Sequence, residues 1–234
     1  MSKQIPSITG TLRSHMIELP RAISKASGIR IFGKRLKSFV FSTDVAIIKN
    51  TNADAVIAVY PFTPQPVITQ ALTIAADVPV FCGVGGGITT GKRVVNLAMD
   101  AEFKGAMGIV VNNPTPDDVI RQVRDSIDIP IVVTVVSEFE DIEARIAAGA
   151  SILNVSGAKR TTEIVRKIRE KHPDFPIIAT GGPTEESILA TIEAGANAIT
   201  YTPPTTSEIL ADIMLSYRDK YEHDLPIDLE IAPD

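Results

Sequence analysis

Residues 128 to 155 read DIPIVVTVVSEFEDIEARIAAGASILNV, and this stretch decides the fold. One apolar run begins at Pro130, behind the tag Asp-x-Pro, and a second run follows Gly149-Ala150. Proline has no N–H to donate, so within a sheet it stands at the first residue of a strand or at an edge. Glycine ahead of a strand is typical of the left-handed residue that ends a helix. The stretch therefore predicts a strand, a helix and a second strand.

The same two tags alternate along the chain. Asp-x-Pro also opens runs at Asp77 and Asp174, and Gly-Ala precedes runs at Gly105 and Gly195. Tags of one kind recur at spacings of 44 to 51 residues, which is room for two strands and two helices. The runs are continuously apolar, as in parallel strands covered by helices.

With a first strand at Ser38-Phe39-Val40-Phe41 and a second after Ala53-Asp54-Ala55, the pattern gives eight strand–helix units in 234 residues. That number predicts an α/β fold, a single (β/α)8 TIM barrel. The predicted strands lie near 38–42, 55–60, 79–83, 106–112, 130–135, 151–155, 176–180 and 197–201.

Two segments flank the predicted barrel, which spans residues 38–220. Residues 1–37 form an N-terminal helical extension, since Ser14 to Ser27 carries apolar residues at helical spacing despite Pro20. We expect this helix to plug the amino-terminal mouth of the barrel or to pack on a neighbouring subunit. Residues 221–234 form an acidic C-terminal tail.

Composition favours a soluble cytoplasmic protein. Apolar residues make up 44% of the chain, enough for a sizeable core. The single cysteine, Cys82, excludes a disulfide framework and fits a reducing compartment. No apolar leader follows Met1 and no run reaches membrane-spanning length, so we expect no membrane partner.

Charge is distributed unevenly around a net value of −5. Residues 1–49 carry nine Lys/Arg against Glu18 and Asp44, a net of +7, and the rest of the chain carries a net of −12. The basic residues are spread out and interleave poorly with aromatics, so we expect no nucleic-acid partner. Contact between unlike surfaces of two copies is the plainer interpretation, and we predict a homo-oligomer.

A Gly-Gly pair marks the loop after the seventh strand. In (β/α)8 barrels the active site lies on the loops at the carboxyl-terminal ends of the strands, and phosphate is commonly held by the last two. Thr180-Gly181-Gly182 lies between a strand and a helix, where backbone amides can converge on phosphate at the helix N-terminus. Alternatively, the glycines form only a tight turn, with Thr184 capping the helix.

Thr180-Gly181-Gly182, together with Glu193-Ala194-Gly195-Ala196-Asn197-Ala198 at the entrance to the eighth strand, resembles the ribulose-phosphate-binding barrels. These include 2-keto-3-deoxy-6-phosphogluconate aldolases, thiamine-phosphate synthases and N-acylglucosamine-6-phosphate epimerases. The resemblance covers the second half of the chain, and its motifs belong to the superfamily rather than to one reaction. It implies a phosphorylated small-molecule ligand, with Gly181 and Gly182 as phosphate contacts.

The chain departs from the aldolases of that superfamily at the sixth strand. Those enzymes resemble one another in a Schiff-base lysine on this strand, whereas here the strand reads Ser151-Ile152-Leu153-Asn154-Val155. Lys159 lies four residues beyond it, on the following loop. As a base it would need a lowered pKa; alternatively it neutralises a phosphate.

Candidate acid–base residues at the catalytic end are few, because His15, His172 and His223 all fall elsewhere. Asp44 and Glu138 follow the first and fifth strands, although each could equally cap a helix or occupy its first turn. We predict Asp44, Glu138 and Lys159 as the catalytic candidates. Substrate-binding candidates are Asn112, Asn154, Ser156, Gly157, Thr180, Gly181, Gly182, Thr202 and Thr205.

These residues predict an enzyme that acts on a small phosphorylated substrate by proton abstraction beside a carbonyl: an isomerase, an epimerase or an aldolase-type lyase. No dedicated metal site or other cofactor is evident, although magnesium could bind one or two carboxylates together with substrate phosphate. Two alternatives stay open. One is a hydrolase assisted by magnesium at Asp44 and Glu138, and the other is a non-catalytic barrel that senses a metabolite or binds a partner.

Overall fold

The structure, a computed structural model, describes residues 6–8, 10–11 and 16–224. Two antiparallel strands, β1 (Ile29–Ile31) and β2 (Lys34–Leu36), precede eight parallel ones. The parallel strands are β3 (Ser38–Phe41), β4 (Ala55–Ala58), β5 (Val80–Gly85), β6 (Gly108–Val111), β7 (Ile131–Val135), β8 (Ile152–Val155), β9 (Ile177–Thr180) and β10 (Ala198–Tyr201). The α-helices are α1 (Val45–Lys49), α2 (Pro66–Ala75), α3 (Lys92–Phe103), α4 (Asp117–Arg124), α5 (Ile142–Ala148), α6 (Thr161–Lys171), α7 (Glu185–Glu193) and α8 (Thr206–Asp224).

The parallel strands close into a barrel in the order β10-β3-β4-β5-β6-β7-β8-β9. The predicted (β/α)8 barrel is confirmed, and each predicted strand agrees with an observed one to within two residues at either end. The chain divides into two compact units, Met1–Pro203, which contains the barrel, and Pro204–Asp234, which contains α8.

The tags act as the sequence predicts. Pro130 and Pro176 stand one residue ahead of β7 and β9, and their carbonyls accept from the amides of Ile109 and Leu153 on the adjoining strands (3.0 Å each). A proline there joins the sheet as an acceptor without having to donate. Gly149 ends α5 at a φ of 125°, in the left-handed region that favours glycine.

Side chains that face into the barrel stack in layers drawn from alternate strands. The strand register and the tilt of the strands define these layers. One of them is entirely apolar and lies in the amino-terminal half of the barrel. In it the rings of Phe39 and Phe81 meet edge to face, with centroids 5.3 Å apart. Its members, all fully buried, are Phe39, Phe81, Val132 and Ile178.

The β1–β2 hairpin closes the amino-terminal end of the barrel. Its turn residues, Phe32 and Gly33, both have positive φ (44° and 83°), as a two-residue hairpin turn requires. Ile29, Ile31 and Leu36 are buried and belong to the same apolar cluster as the barrel interior. The plug is therefore a hairpin rather than the predicted helix.

The predicted helix from Ser14 to Ser27 is not formed in its described part. Ile17 makes a parallel bridge to Thr51, and the Leu19 amide donates to Asn52 Oδ1 (2.9 Å). Only Arg21–Lys25 form a helical turn, of the 3-10 type, which packs against α7. The backbone ahead of Pro20 finds partners on the loop after α1, and this pairing replaces intrahelical bonds; residues 12–15 lie outside the described chain.

In the second unit, α8 continues to Asp224, into the predicted tail. The rest of that tail, 225–234, lies outside the described residues. Within the described chain, no helix is both long and apolar enough to cross a bilayer. The predicted cytoplasmic location and the predicted domain bounds stay predictions.

Candidate functional site

The carboxyl-terminal half of the barrel interior is polar on one side and apolar on the other. Strand register places two further layers of inward-facing residues above the Phe39 layer. The first consists of Ile57, Val110, Asn154 and Thr200, and the second of Phe41, Gly83, Thr134 and Thr180. Above these, the strand ends present Val59, Asn112, Ser156 and Thr202.

Nearly all the polar members of these layers lie on β7 to β10, which are consecutive in the closed barrel. They therefore form one continuous polar wall at the barrel mouth, opposite an apolar wall from β3 to β6. Thr180 Oγ1 donates to Ser156 Oγ (3.4 Å), which joins β9 to β8 near the top of this wall.

A cavity of about 400 Å³ opens beside the polar wall, over the ends of β8 and β9. It brings together three residue groups that the sequence predicts as functional: Lys159, Thr180 and the Gly181-Gly182 pair. The remaining lining comes mostly from hydroxyl-bearing side chains at the beginning of α6 and on α7.

The Gly181-Gly182 loop has strict steric requirements. A Cβ at position 181 would lie 2.7 Å from side-chain carbons of both Ile188 and Ile199. Gly182 has a φ of +81°, and a Cβ there would lie 2.6 Å from Ser187 Oγ. The Gly181 amide donates to the Thr200 carbonyl (3.4 Å), whereas no hydrogen bond of the Gly182 amide is found within the described chain. The loop is thus a tight turn that also leaves one amide to offer.

Helix α7 begins at the cavity with a capping box. Thr184 Oγ1 accepts from the Ser187 amide, and Ser187 Oγ accepts in return from the Thr184 amide (3.2 Å each). Glu186 accepts from its own amide and from the Thr184 hydroxyl, which lowers the pKa of its carboxyl. The predicted capping role of Thr184 is confirmed.

Lys159 lies on a short 3-10 turn, Ala158–Arg160, and its side chain is exposed at the cavity. The turn is held by Thr161, whose hydroxyl accepts from the Gly157 amide (3.0 Å) and donates to the Ala158 carbonyl (2.9 Å). Ala158 has a φ of +51°, a left-handed conformation that is rare outside glycine and concentrates at functional loops.

Asp44 lies at the end of β3, where the sequence places it, but it serves as the N-cap of α1. Its Oδ1 accepts from the amides of Ala46 (2.8 Å) and Ile47 (3.4 Å). This corresponds to the helix-cap alternative.

Glu138 is ion-paired. Its carboxylate contacts both Arg160 and Lys167, and only 9% of the side chain is exposed. It lines a different cavity, a groove of about 280 Å³ between α5 and α6 on the outside of the barrel. The structure does not bring Glu138 to the cavity that holds Lys159.

The two carboxylates predicted for a magnesium ion do not lie together. Asp44 and Glu138 follow β3 and β7, which are four strands apart in a barrel of eight and so lie on opposite sides. No group of three or more His, Cys, Asp or Glu side chains in the described chain could hold a metal. Magnesium, and the hydrolase that would use it, stay predictions without support from this geometry.

Other predicted residues are dispersed. Asn112 packs beside Gly86 in a small recess with Tyr60, on the far side of the mouth. Gly157 supports the Lys159 turn, as described above. Thr205 belongs to the second unit, where its hydroxyl and amide both contact Glu208 Oε2 (2.8 Å each) and lower the pKa of that carboxyl.

Cys82 faces outward from β5 and is buried. Burial raises the pKa of its thiol to about 12, more than the Thr69 hydroxyl lowers it. At neutral pH the group is a protonated thiol, which is a poor nucleophile.

Sequence reasoning missed Thr200. It lies in β10, which reads AITY. Since alternate residues face inward, its position two residues after the inward-facing Ala198 was the available signal.

No family model matches the chain, and no curated protein is significantly similar to it. Solved structures share its fold at low identity. Phosphonopyruvate hydrolase, solved with oxalate and Mg²⁺, is 12% identical with a TM-score of 0.60, over 86% of this chain and 87% of that one. 2,3-Dimethylmalate lyase, of the PEP mutase/isocitrate lyase superfamily, is 15% identical with a TM-score of 0.60, over 95% and 91%. Mandelate oxidase is 15% identical with a TM-score of 0.61, over 76% and 68%.

These three proteins are a hydrolase, a lyase and an oxidase, so the likeness shows the barrel and not a reaction. The resemblance to the ribulose-phosphate-binding barrels stays a prediction beyond the fold itself.

Proposed function

We propose that the chain is an enzyme that binds a small phosphorylated molecule at the barrel mouth and abstracts a proton beside a carbonyl of that molecule. The observation that carries the proposal is the shared cavity of Lys159, Thr180 and Gly181-Gly182. It lies over β8 and β9, at the end of the barrel where such chemistry occurs.

Each group has a role that follows from its chemistry. The phosphate accepts from the Gly182 amide at the beginning of α7. The carbonyl end of the substrate reaches the polar wall, where Ser156 and Thr180 supply hydroxyls. Of the three predicted acid–base residues, Lys159 alone lines this cavity, so we assign the proton transfer to Lys159.

Binding is tested by thermal unfolding with inorganic phosphate and a panel of phosphorylated keto-sugars. A ligand at a hundred times its Kd should stabilise the fold by about 2.7 kcal/mol. Gly182→Asp, which sets a carboxylate beside the bound phosphate, should weaken binding of every phosphate. Lys171→Asp, which sets a carboxylate on an exposed position at the end of α6, is the matched control and should bind as the parent does. No shift with any phosphate would refute the proposed site.

Turnover is tested without knowing the product, by following deuterium incorporation from D2O next to the carbonyl of each bound compound. Lys159→Arg keeps the positive charge, but arginine does not act as a base at neutral pH. We expect this variant to retain phosphate binding and to lose exchange. Exchange that survives in Lys159→Arg would exclude Lys159 as the base, and binding without exchange in the parent would favour the non-catalytic sensor.

A further inference from the structure

Two polar atoms are buried without partners inside the barrel, one layer below Thr134 and Thr180. They are Asn154 Oδ1 and Thr200 Oγ1, and no hydrogen bond reaches either of them within the described chain. Thr200 is only 6% exposed. Both residues belong to one layer of inward-facing side chains, on β8 and β10.

Neither the rest of this layer nor the layer beneath it offers a polar partner for these atoms. The other two members of the layer, Ile57 and Val110, are hydrocarbon, and the Phe39 layer beneath is apolar throughout. Leaving a buried polar atom unpaired is costly, so native proteins rarely do so without a functional reason. A partner can approach only from above, through the mouth that the polar wall lines.

We infer that Asn154 and Thr200 bind a hydroxyl group of the substrate, and that the substrate is a phosphorylated polyhydroxy compound. The amide oxygen of Asn154 can only accept, so the incoming group must donate a hydrogen bond. A hydroxyl both donates and accepts, and it therefore suits both residues. An ammonium group would also donate, but its charge would be desolvated against the hydrocarbon of the layer.

This inference deepens the proposed function and depends on it, because phosphate at Gly181-Gly182 fixes the end from which the hydroxyls extend. The polar wall provides the route between the two points. Thr180 and Thr134 lie in the layer immediately above Asn154 and Thr200.

The test compares the dissociation constants of three probes: inorganic phosphate, n-pentyl phosphate and ribitol 5-phosphate. The two esters have equal carbon chains and differ in their hydroxyls. We expect the parent to bind ribitol 5-phosphate at least about tenfold more tightly than n-pentyl phosphate, the factor that one or two neutral hydrogen bonds supply. Thr200→Val and Asn154→Leu should each reduce this ratio and leave the affinity for inorganic phosphate unchanged.

Two controls separate hydrogen bonding from packing. Thr200→Ser restores the hydroxyl and should restore the ratio, while Thr69→Val alters a buried threonine on α2 and should leave it intact. Thr200→Val should also raise the midpoint of thermal unfolding without ligand, because it removes an unpaired buried hydroxyl. A parent ratio near one, or a ratio that persists in both Thr200→Val and Asn154→Leu, would overturn the inference while phosphate binding stands. Failure of all three probes to bind would remove the phosphate site, and this inference with it.

Discussion

Asp44 stands at the carboxyl-terminal end of a barrel strand, where a catalytic carboxylate is expected, and yet its oxygen caps a helix. The two roles differ in what they require of the side chain. A cap needs an acceptor oxygen, and asparagine supplies one as well as aspartate does. A base needs an ionised carboxylate, which asparagine lacks.

We therefore expect Asp44→Asn to unfold at the same urea concentration as the parent and Asp44→Ala to lose about 1 kcal/mol. Deuterium exchange by the Asn variant should be unchanged. If the Asn variant folds normally but no longer exchanges, Asp44 rather than Lys159 moves the proton.

Cys82 gives the chain a pH dependence of predictable sign. Burial raises the pKa of its folded thiol to about 12, whereas an unfolded thiol ionises near pH 8.5. The stabilising contribution is thus complete below about pH 8.5 and is lost as the pH rises towards 12.

Relative to Cys82→Ala, the parent should lose about 2 kcal/mol of unfolding free energy between pH 7 and pH 10. Urea titrations of both proteins at each pH measure this difference, and other titrating groups cancel in it. A constant difference over that range would mean that the thiol is not desolvated in the folded chain.

At this scale the sequence located the Gly181-Gly182 loop and Lys159 because their position after a strand is a local property. It left Glu138 ambiguous, since the ion pairs with Arg160 and Lys167 join residues that are distant in sequence. Asn154 was found by its residue type, but its shared layer with Thr200 depends on strand register. Register arises only when the barrel closes.

Among the elements, the junction of α6, β9 and β10 depends on one side chain, Arg169. Its guanidinium donates to the carbonyls of Gly195 (2.7 Å) and Phe175 (2.9 Å) and to Asn197 Oδ1 (2.8 Å). It also donates to the carbonyls of His172 and Pro173, at the end of α6. Burial lowers the pKa of this guanidinium, while the charge of Asp174 opposes that shift.

A lysine ammonium cannot reproduce the hydrogen bonds that the planar guanidinium of Arg169 donates to these five acceptors. We expect Arg169→Lys to lose about 2 to 3 kcal/mol of unfolding free energy, because several carbonyls are left without partners. Arg166→Lys, at an exposed position of the same helix, should change it by less than about 0.5 kcal/mol. Equal urea midpoints for the two variants would contradict this account of the junction.

Strands were predictable where an apolar run begins directly after a proline or a glycine, as in the strands that follow Pro130 and Gly149. The segment around Pro20 was not, because its apolar spacing suits a helix while its backbone bonds with Asn50 and Asn52 instead. The β1–β2 hairpin also escaped prediction. Its turn begins with Phe32, which gives no glycine or asparagine signal at the first turn position.

For the molecule as a whole, charge separation is the feature that the barrel does not explain. Residues 1–49 carry a net charge of +7, and residues 204–234 hold eight Asp/Glu against two Lys/Arg. Unlike charges on two parts of one chain favour association between copies. The predicted homo-oligomer stays a prediction, and α8 supplies the residues with which to test it.

Four side chains of α8 are spaced as one helical face and are exposed: Leu210, Met214, Tyr217 and Tyr221. If a second copy covers this face, the protein should elute as an oligomer, and Leu210→Glu with Tyr217→Glu should convert it to a smaller species in light-scattering measurements. Ala211→Glu with Ser216→Glu adds the same charge to other faces of α8 and should leave the mass unchanged. A parent chain that is already monomeric at high concentration would rule out the homo-oligomer. Equal loss of mass in both double variants would instead attribute assembly to net charge, because position on the helix would then have no effect.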